Sequence, residues 1–546
     1  MRRATSKRVT IASVLLLAAL SGRAWAQSVE EDRFFIDKDD EDEDKTLWQG
    51  SLTSSTFLFQ ESGGQGTALV PMGAAVDNAS PYRRLFTDLR AQIDGLHLRG
   101  GRWDLRVDAR ARVVNDPPDA QATTQDNVLQ SGAFGGNEYD VRDLYLVRTG
   151  RRTDFFVGRQ TVADLGAIKI DGVRLDYAAS TRWTYLGFAG LHPLRGSRSV
   201  LTDYPTVSNR GANPTRPTPV AGGFGGAYRT QRSYGAIGGV AIVTPQKDPV
   251  TGTFEKPRVY ATASGYWRRT PAFDVYHYAV LDLYGSNGFA LTNGTLGMQW
   301  KPTPRLRLNL SANRIDAEVL NIQVRDQFEN ADPIDGVIIN NLEAQRIAAD
   351  SLRATASAGL GNSNRFELTT GLSARRRPEV VFDLGAASTM DRVLPAAQAV
   401  EFLAQAVDRR FYGGFRLDLL YTRSVGIGAS SYARSTGQLV RLGARKEIDD
   451  GRTEVQADVA YVSSADDDAG TMCLPSSLTS CYGSANSSGL QANMTGYRRI
   501  NKDWFVTAML GIASQKLVVT DPATTAGIPQ STTVSASAFL RVGYRF

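Results

Sequence analysis

The strongest constraint on the fold is the segment 103–114, WDLRVDARARVV, in which apolar and charged residues alternate without a break. Side chains on a β-strand alternate between its two faces. One face therefore carries Trp103, Leu105, Val107, Ala109, Ala111 and Val113, and the other Asp104, Arg106, Asp108, Arg110 and Arg112. A pairing shift of one residue would turn every charge onto the apolar side, so the register is tightly specified. Two environments satisfy such a strand: a soluble sandwich with the apolar face as its core, or a closed sheet in lipid with the charges inside.

The ends of the chain select the second. Arg2, Arg3, Lys7 and Arg8 precede an apolar run from Val9 to Leu20, and Ala24-Trp25-Ala26 follows. This is the three-part pattern of a secretory leader, with a run too short to span a bilayer. Residues 1–26 are expected to be a cleaved signal peptide that takes the chain across the inner membrane. At the other end, Val534, Ala536, Ala538, Leu540, Val542, Tyr544 and Phe546 share one face, opposite Ser535, Ser537, Arg541 and Arg545. Leu540, Val542, Tyr544 and the final Phe546 resemble the insertion signature of bacterial outer-membrane β-barrels. The resemblance implies an all-β, antiparallel up-and-down transmembrane barrel in outer-membrane lipid, handled by the barrel-assembly machinery.

Composition agrees. With 42% hydrophobic residues and a mean hydropathy of −0.25 the chain is too polar for a helical membrane protein. No run beyond residue 27 reaches the length of a membrane-spanning helix, and a closed sheet is the other way to satisfy a backbone in lipid. The net charge of +6 is unevenly spread. Without the five bases of the leader, 57 bases face 56 acids, and residues 30–44 alone hold ten acids and two bases. An acidic tail, residues 27–46, thus precedes a basic body, residues 47–546. With the charges on inner strand faces of an exported protein, nucleic acid is a poor explanation of that basicity. The tail is expected to be disordered when free, either as a solvated leader or as a handle for periplasmic export or scaffold proteins. Cys473 and Cys481 lie in a loop rich in Ser, Asp and Gly, and a local disulfide is expected in an oxidising compartment. No histidine accompanies them, so no metal is expected there, and no cofactor motif is found.

Alternating segments recur from residue 48 to the end, about 22 in all, with an even number from 18 to 22 as the range. Short turns such as 98–101, 302–303, 361–364 and 501–502 alternate with long connections such as 61–83, 115–138, 192–221, 317–349 and 465–487. Short periplasmic turns and long outer loops have that asymmetry. Segment 380–391 reads as a weak strand, and the Ala-rich 393–408 as a short periplasmic helix. GGFGG at 222–226 reads as a close-packed strand start, because no helix pattern or lysine follows to cradle a phosphate.

The alternation puts Arg90, Asp104, Arg106, Asp108, Arg110, Arg112, Arg174 and Arg307 on the inner face. Such a wall suits anionic or heavily hydroxylated solutes. Arginines paired with aspartates across neighbouring strands would equally stiffen a wide barrel. Arg142-Asp143-Leu144-Tyr145-Leu146, Gly158-Arg159-Gln160 and Asp171-Gly172-Val173-Arg174 resemble the strand series of alginate-export-type porins, over about 35 residues. That resemblance implies passage of an anionic polysaccharide along Arg142, Arg159 and Arg174, although the family has fewer strands than the number counted here.

His97, His192 and His277 are scattered and have no nucleophile motif beside them, so no enzyme is expected. A plugged, energy-coupled transporter needs a plug domain before its first strand, where about twenty residues of the mature chain stand. Two uses lead. One is a porin-like conduit for an exopolysaccharide or other large or anionic solute; the other is a docking barrel of an envelope-spanning motility or adhesion complex gripped through the acidic tail. A third links the two features, with the tail threading into the arginine-lined mouth as a salt-sensitive gate.

Overall fold

The computed structural model describes residues 45–62, 82–114, 137–193, 200, 219–245, 254, 256–285, 288–316, 348–378, 380–382, 392–394, 396–428, 434–467, 484–520 and 531–546. The leader, residues 27–44 of the tail and both cysteines lie outside them.

The first strands are β1 (Leu47–Ser62), β2 (Tyr82–Leu96), β3 (Trp103–Val114), β4 (Glu138–Thr149), β5 (Thr153–Val162), β6 (Ile168–Ala178), β7 (Trp183–Leu191) and β8 (Val220–Arg229). They are followed by β9 (Ser233–Val243), β10 (Arg258–Thr270), β11 (Phe273–Tyr284), β12 (Ala290–Thr303), β13 (Leu306–Asp316), β14 (Ala348–Leu360), β15 (Phe366–Arg377), β16 (Val380–Phe382) and β17 (Arg392–Leu394). The last are β18 (Ala397–Asp408), β19 (Arg416–Gly428), β20 (Arg434–Ile448), β21 (Thr453–Asp467), β22 (Ser484–Arg499), β23 (Trp504–Thr520) and β24 (Ser531–Arg545). All but β16 and β17 join one 22-stranded sheet. Each strand pairs antiparallel with the barrel strand before and after it, and β1 closes the ring on β24 from Ser51↔Arg545 to Ser62↔Val534. Gly50 and Phe546 extend that seam by exchanging backbone hydrogen bonds of 3.0 and 3.2 Å. The fold is therefore a closed, all-antiparallel, up-and-down barrel.

Membership differs from the sequence reading in one place. Segment 393–408 is not a helix: β18 pairs with β15 on one side and β19 on the other. Of segment 380–391 the described residues are β16, which pairs with β17 in a separate two-stranded sheet. The alternation in β18 explains the exchange, since Leu403 and Val407 are buried on the inside while Phe402 faces outward. Alanine spacing alone fits both periods, and here tertiary pairing decides between them.

The outer surface is apolar. Phe224 and Ile237, in the middle of β8 and β9, are 76% and 66% exposed. Trp48, Trp103, Trp183, Trp267, Trp300 and Trp504 all sit outward at the short-turn ends of their strands. A lipid-facing band edged by an aromatic girdle has this form, and closed barrels of this kind belong to the bacterial outer membrane.

Substitution on the two faces should therefore differ. Phe224→Lys or Ile237→Lys is expected to cost about 2–4 kcal/mol near the bilayer midplane. Ser537→Lys, on the inner face, should stay within about 1 kcal/mol; urea titration of the barrel folded into vesicles measures both.

Candidate functional site

The inner faces of β2, β3 and β4 meet as a ladder of opposite charges. Their register brings Asp88 opposite Arg112, Arg90 opposite Arg110, Gln92 opposite Asp108 and Asp94 opposite Arg106. Arg90 forks onto Asp108 at 3.0 and 2.8 Å, and Arg112 onto Asp88 at 2.7 and 3.0 Å. Arg110 reaches Glu138 at 2.8 Å, and Arg106 lies 3.9 Å from Asp94 and 3.8 Å from Asp143. The Asp104 carboxylate accepts the His97 backbone N–H at 3.0 Å, pinning the turn between β2 and β3. Arg142 is the extra residue of a β-bulge against β3, and its side chain reaches Asp140 at 3.1 Å. Cross-strand pairs of this kind stiffen a sheet and leave little net charge on the wall.

The second feature is a hairpin tip that leaves the wall. Pairing between β4 and β5 stops at Leu144↔Arg159, just after Gly158, whose φ is 126°. Gly158, Gly172 and Gly190 stand in register across β5, β6 and β7. A β-carbon on Gly158 would lie 2.3 Å from the Leu144 carbonyl oxygen, and one on Gly172 would lie 2.2 Å from that of Ala189. Only glycine permits so close an approach, and at this line the hairpin turns into the barrel.

Beyond the bend, Val162, Leu165, Ile168 and Ile170 are buried against Phe188, Val240 and Tyr260 of the opposing inner wall. Leu165 plugs a hole left by Gly225 and Gly238, which face each other in register. A β-carbon at those two positions would lie 2.6 and 2.3 Å from its Cδ2 atom. The GGFGG run is thus a socket, close-packed as its composition implied, for a partner far away in sequence. At the tip, Asp164 accepts a hydrogen bond from the Tyr234 hydroxyl. It also lies 3.4 Å from the Arg229 guanidinium and 3.7 Å from that of Arg174. Arg174 forks onto Asp176 at 2.8 and 2.7 Å and lies over the Phe156 ring. Arg159 forks onto Asp171, with one contact at 2.6 Å, on the other face of the hairpin. The sequence carried signals of this tip: a connection of only five residues, Ala163–Ala167, on the side where loops are long, and glycines inside strands.

Elsewhere the inner wall is different. Arg307, Arg353, Arg416 and Arg541 face the lumen on β13, β14, β19 and β24, in register with polar neighbours such as Ser357 and Ser311. Arg541 donates to the Ser55 hydroxyl at 3.1 Å across the seam. Among the described residues none of these four has an acidic partner. Other arginines of this half are balanced: Arg441 by Asp418 at 3.1 Å and Arg445 by Glu454 at 2.8 Å. Sequence alternation alone places Arg307, Arg353, Arg416 and Arg541 on inner strand faces, and the register shows that they lack acidic partners among the described residues.

No protein-family model matches the chain, and no curated protein matches it significantly. Solved barrels do resemble it. The copper transporter OprC is 11% identical, with a TM-score of 0.43 over 91% of this chain and 80% of its own. A BenF-like porin from Pseudomonas fluorescens Pf-5 is 10% identical, with a TM-score of 0.38 over 91% and 98%. OpdF of Pseudomonas aeruginosa is 10% identical, with a TM-score of 0.37 over 91% and 98%. These likenesses concern the barrel architecture alone.

Leu165→Ala should empty the glycine socket and cost about 2–5 kcal/mol, the range for a fully buried leucine. Gly238→Val should cost a similar amount by expelling the same side chain. The urea midpoint of the folded barrel checks both, and a change below about 0.5 kcal/mol would mean that the tip is not seated.

Proposed function

We propose that the protein is a porin-like conduit of the outer membrane for a large or anionic solute, with an acidic exopolysaccharide on its way out as the preferred cargo. The observation that carries this reading is the asymmetry of the lumen, in which a charge-neutral ladder on β2 to β4 contrasts with arginines without acidic partners on β13, β14, β19 and β24. A guanidinium without a carboxylate keeps its donor fork for carboxylate and hydroxyl groups of a passing chain. An elongated polymer also suits a wall that attracts weakly at several separated points, since conduction requires release as well as entry. The inward hairpin narrows the space on the β5 to β10 side and leaves the arginine wall as the surface that a solute meets.

The reading assigns selectivity to Arg307, Arg353, Arg416 and Arg541. Arg90, Arg106, Arg110, Arg112, Arg142, Arg159 and Arg174 serve instead as paired, stiffening groups, with Asp108 among their acidic counterparts, while Asp104 holds the turn between β2 and β3. In planar bilayers the protein should conduct with anion preference. The triple variant Arg307→Ala, Arg353→Ala, Arg541→Ala should lose most of that preference, whereas Arg90→Ala should mainly lower stability. Unchanged ion selectivity in the triple variant sinks the proposal. If deletion of residues 28–45 instead abolishes recovery of a periplasmic partner while selectivity is indifferent to the arginines, the docking reading takes its place.

A further inference from the structure

We propose that the lipid-facing side of β13, β14 and β15 holds one phosphorylated acyl lipid of the outer leaflet, with its phosphate at Arg314 and Arg376 and an acyl chain along β14. This site is on the outside of the barrel and does not depend on what passes through the lumen.

The outer faces of these strands form a furrow. Along the middle of β14 the outward residues are Ala354, Ala356 and Ala358, flanked in register by Leu310, Leu308 and Leu306 on β13 and by Leu372, Thr370 and Leu368 on β15. Leu310, Leu368 and Leu372 are exposed, so they stand as ridges beside a row of methyl groups. Further towards the long-loop end the same surface continues into a groove of about 850 Å³, lined among others by Ala312, Leu352, Ala374 and Val400. An acyl chain in such a furrow contacts protein on three sides, where a flat wall offers one.

At the head of the furrow the outward row changes from apolar to charged. Arg314, Asp350, Arg376 and Gln398 are direct register neighbours across β13, β14, β15 and β18, and all four line the groove. Arg314 pairs with Asp350 at 3.1 Å. Arg376, on the other side of the same aspartate, has no acidic partner among the described residues. The row therefore carries one uncompensated positive charge on a surface that faces lipid. Its height is that of the headgroups. Arg314 and Arg376 are eight and ten residues from the short-turn ends of their strands, which at ~3.3 Å per residue and a tilt of ~40° is roughly 20–25 Å, against an apolar band of about 25 Å. There a guanidinium finds phosphate oxygens in the fork geometry that suits it best.

The test uses the full barrel refolded in detergent and native mass spectrometry, with diphosphorylated lipid A as the probe and its phosphate-free form as the control. One equivalent of the probe should bind, and the phosphate-free form should bind far more weakly. The double variant Arg314→Ala, Arg376→Ala should weaken probe binding about thirty-fold, taking about 1 kcal/mol per arginine near an anionic surface and 1.4 kcal/mol per factor of ten. Ala356→Phe, which fills the furrow and leaves the charges in place, should weaken both lipids. Equal binding of the two lipids by the unaltered protein overturns the proposal and needs no variant to fold. So does a double variant that runs as a folded barrel and binds the probe as tightly as before.

Discussion

Everything in this structure depends on the backbone having no solvent partner inside a bilayer. Each unpaired N–H or C=O in hydrocarbon costs several kcal/mol, so a sheet that spans lipid has to end where it began. The closing seam meets that demand with pairs from Ser51↔Arg545 to Ser62↔Val534, and the last residue, Phe546, completes it by bonding to Gly50 in both directions. The terminal aromatic side chain thus lies in the lipid-facing girdle beside Tyr544, while its backbone locks the first strand to the last.

Closing the sheet encloses charge, and the protein handles that charge in two ways. On β2 to β4 guanidinium and carboxylate alternate at contact distance, so their burial is compensated by ion pairs with fixed geometry. Removing either partner would strand the other, which makes this wall a framework. Elsewhere on the wall Arg307, Arg353 and Arg541 have serine or threonine as register neighbours, and Arg416 stands beside Arg445. Their charge is open to the lumen. Paired arginines and arginines without an acidic partner among the described residues thus occupy different arcs of one wall.

The inward hairpin follows the same logic with apolar groups. A tip turned into a polar lumen has to bury its own side chains, and it does so by seating Leu165 where Gly225 and Gly238 have none. Its one acid, Asp164, is met by two guanidiniums and a phenol, so no lone carboxylate is left in the space the tip occupies. Glycines at the bend and in the socket are thus parts of one device, spread over five strands.

The alternation of residues 103–114, the pattern of the final strand and the rhythm of short and long connections were enough to indicate a closed antiparallel sheet of about 22 strands, within a range of 18 to 22, and the inward face of nearly every strand, because a period of two is a local property that any pairing preserves. The sequence could not say that 397–408 joins the wall while 380–382 does not, since alanine spacing satisfies a helix and a lipid-facing strand alike and only the flanking strands decide. Nor could it say which arginines are paired: Arg90 and Arg307 look the same along the chain, and what separates them is that Asp108 lies diagonally within reach of Arg90 on the next strand while Ser357 stands opposite Arg307. The partnership of Leu165 with Gly225 and Gly238 spans some sixty residues or more of chain and was decided by tertiary contact alone. Local pattern fixes which way a side chain points, and packing across strands fixes what it meets.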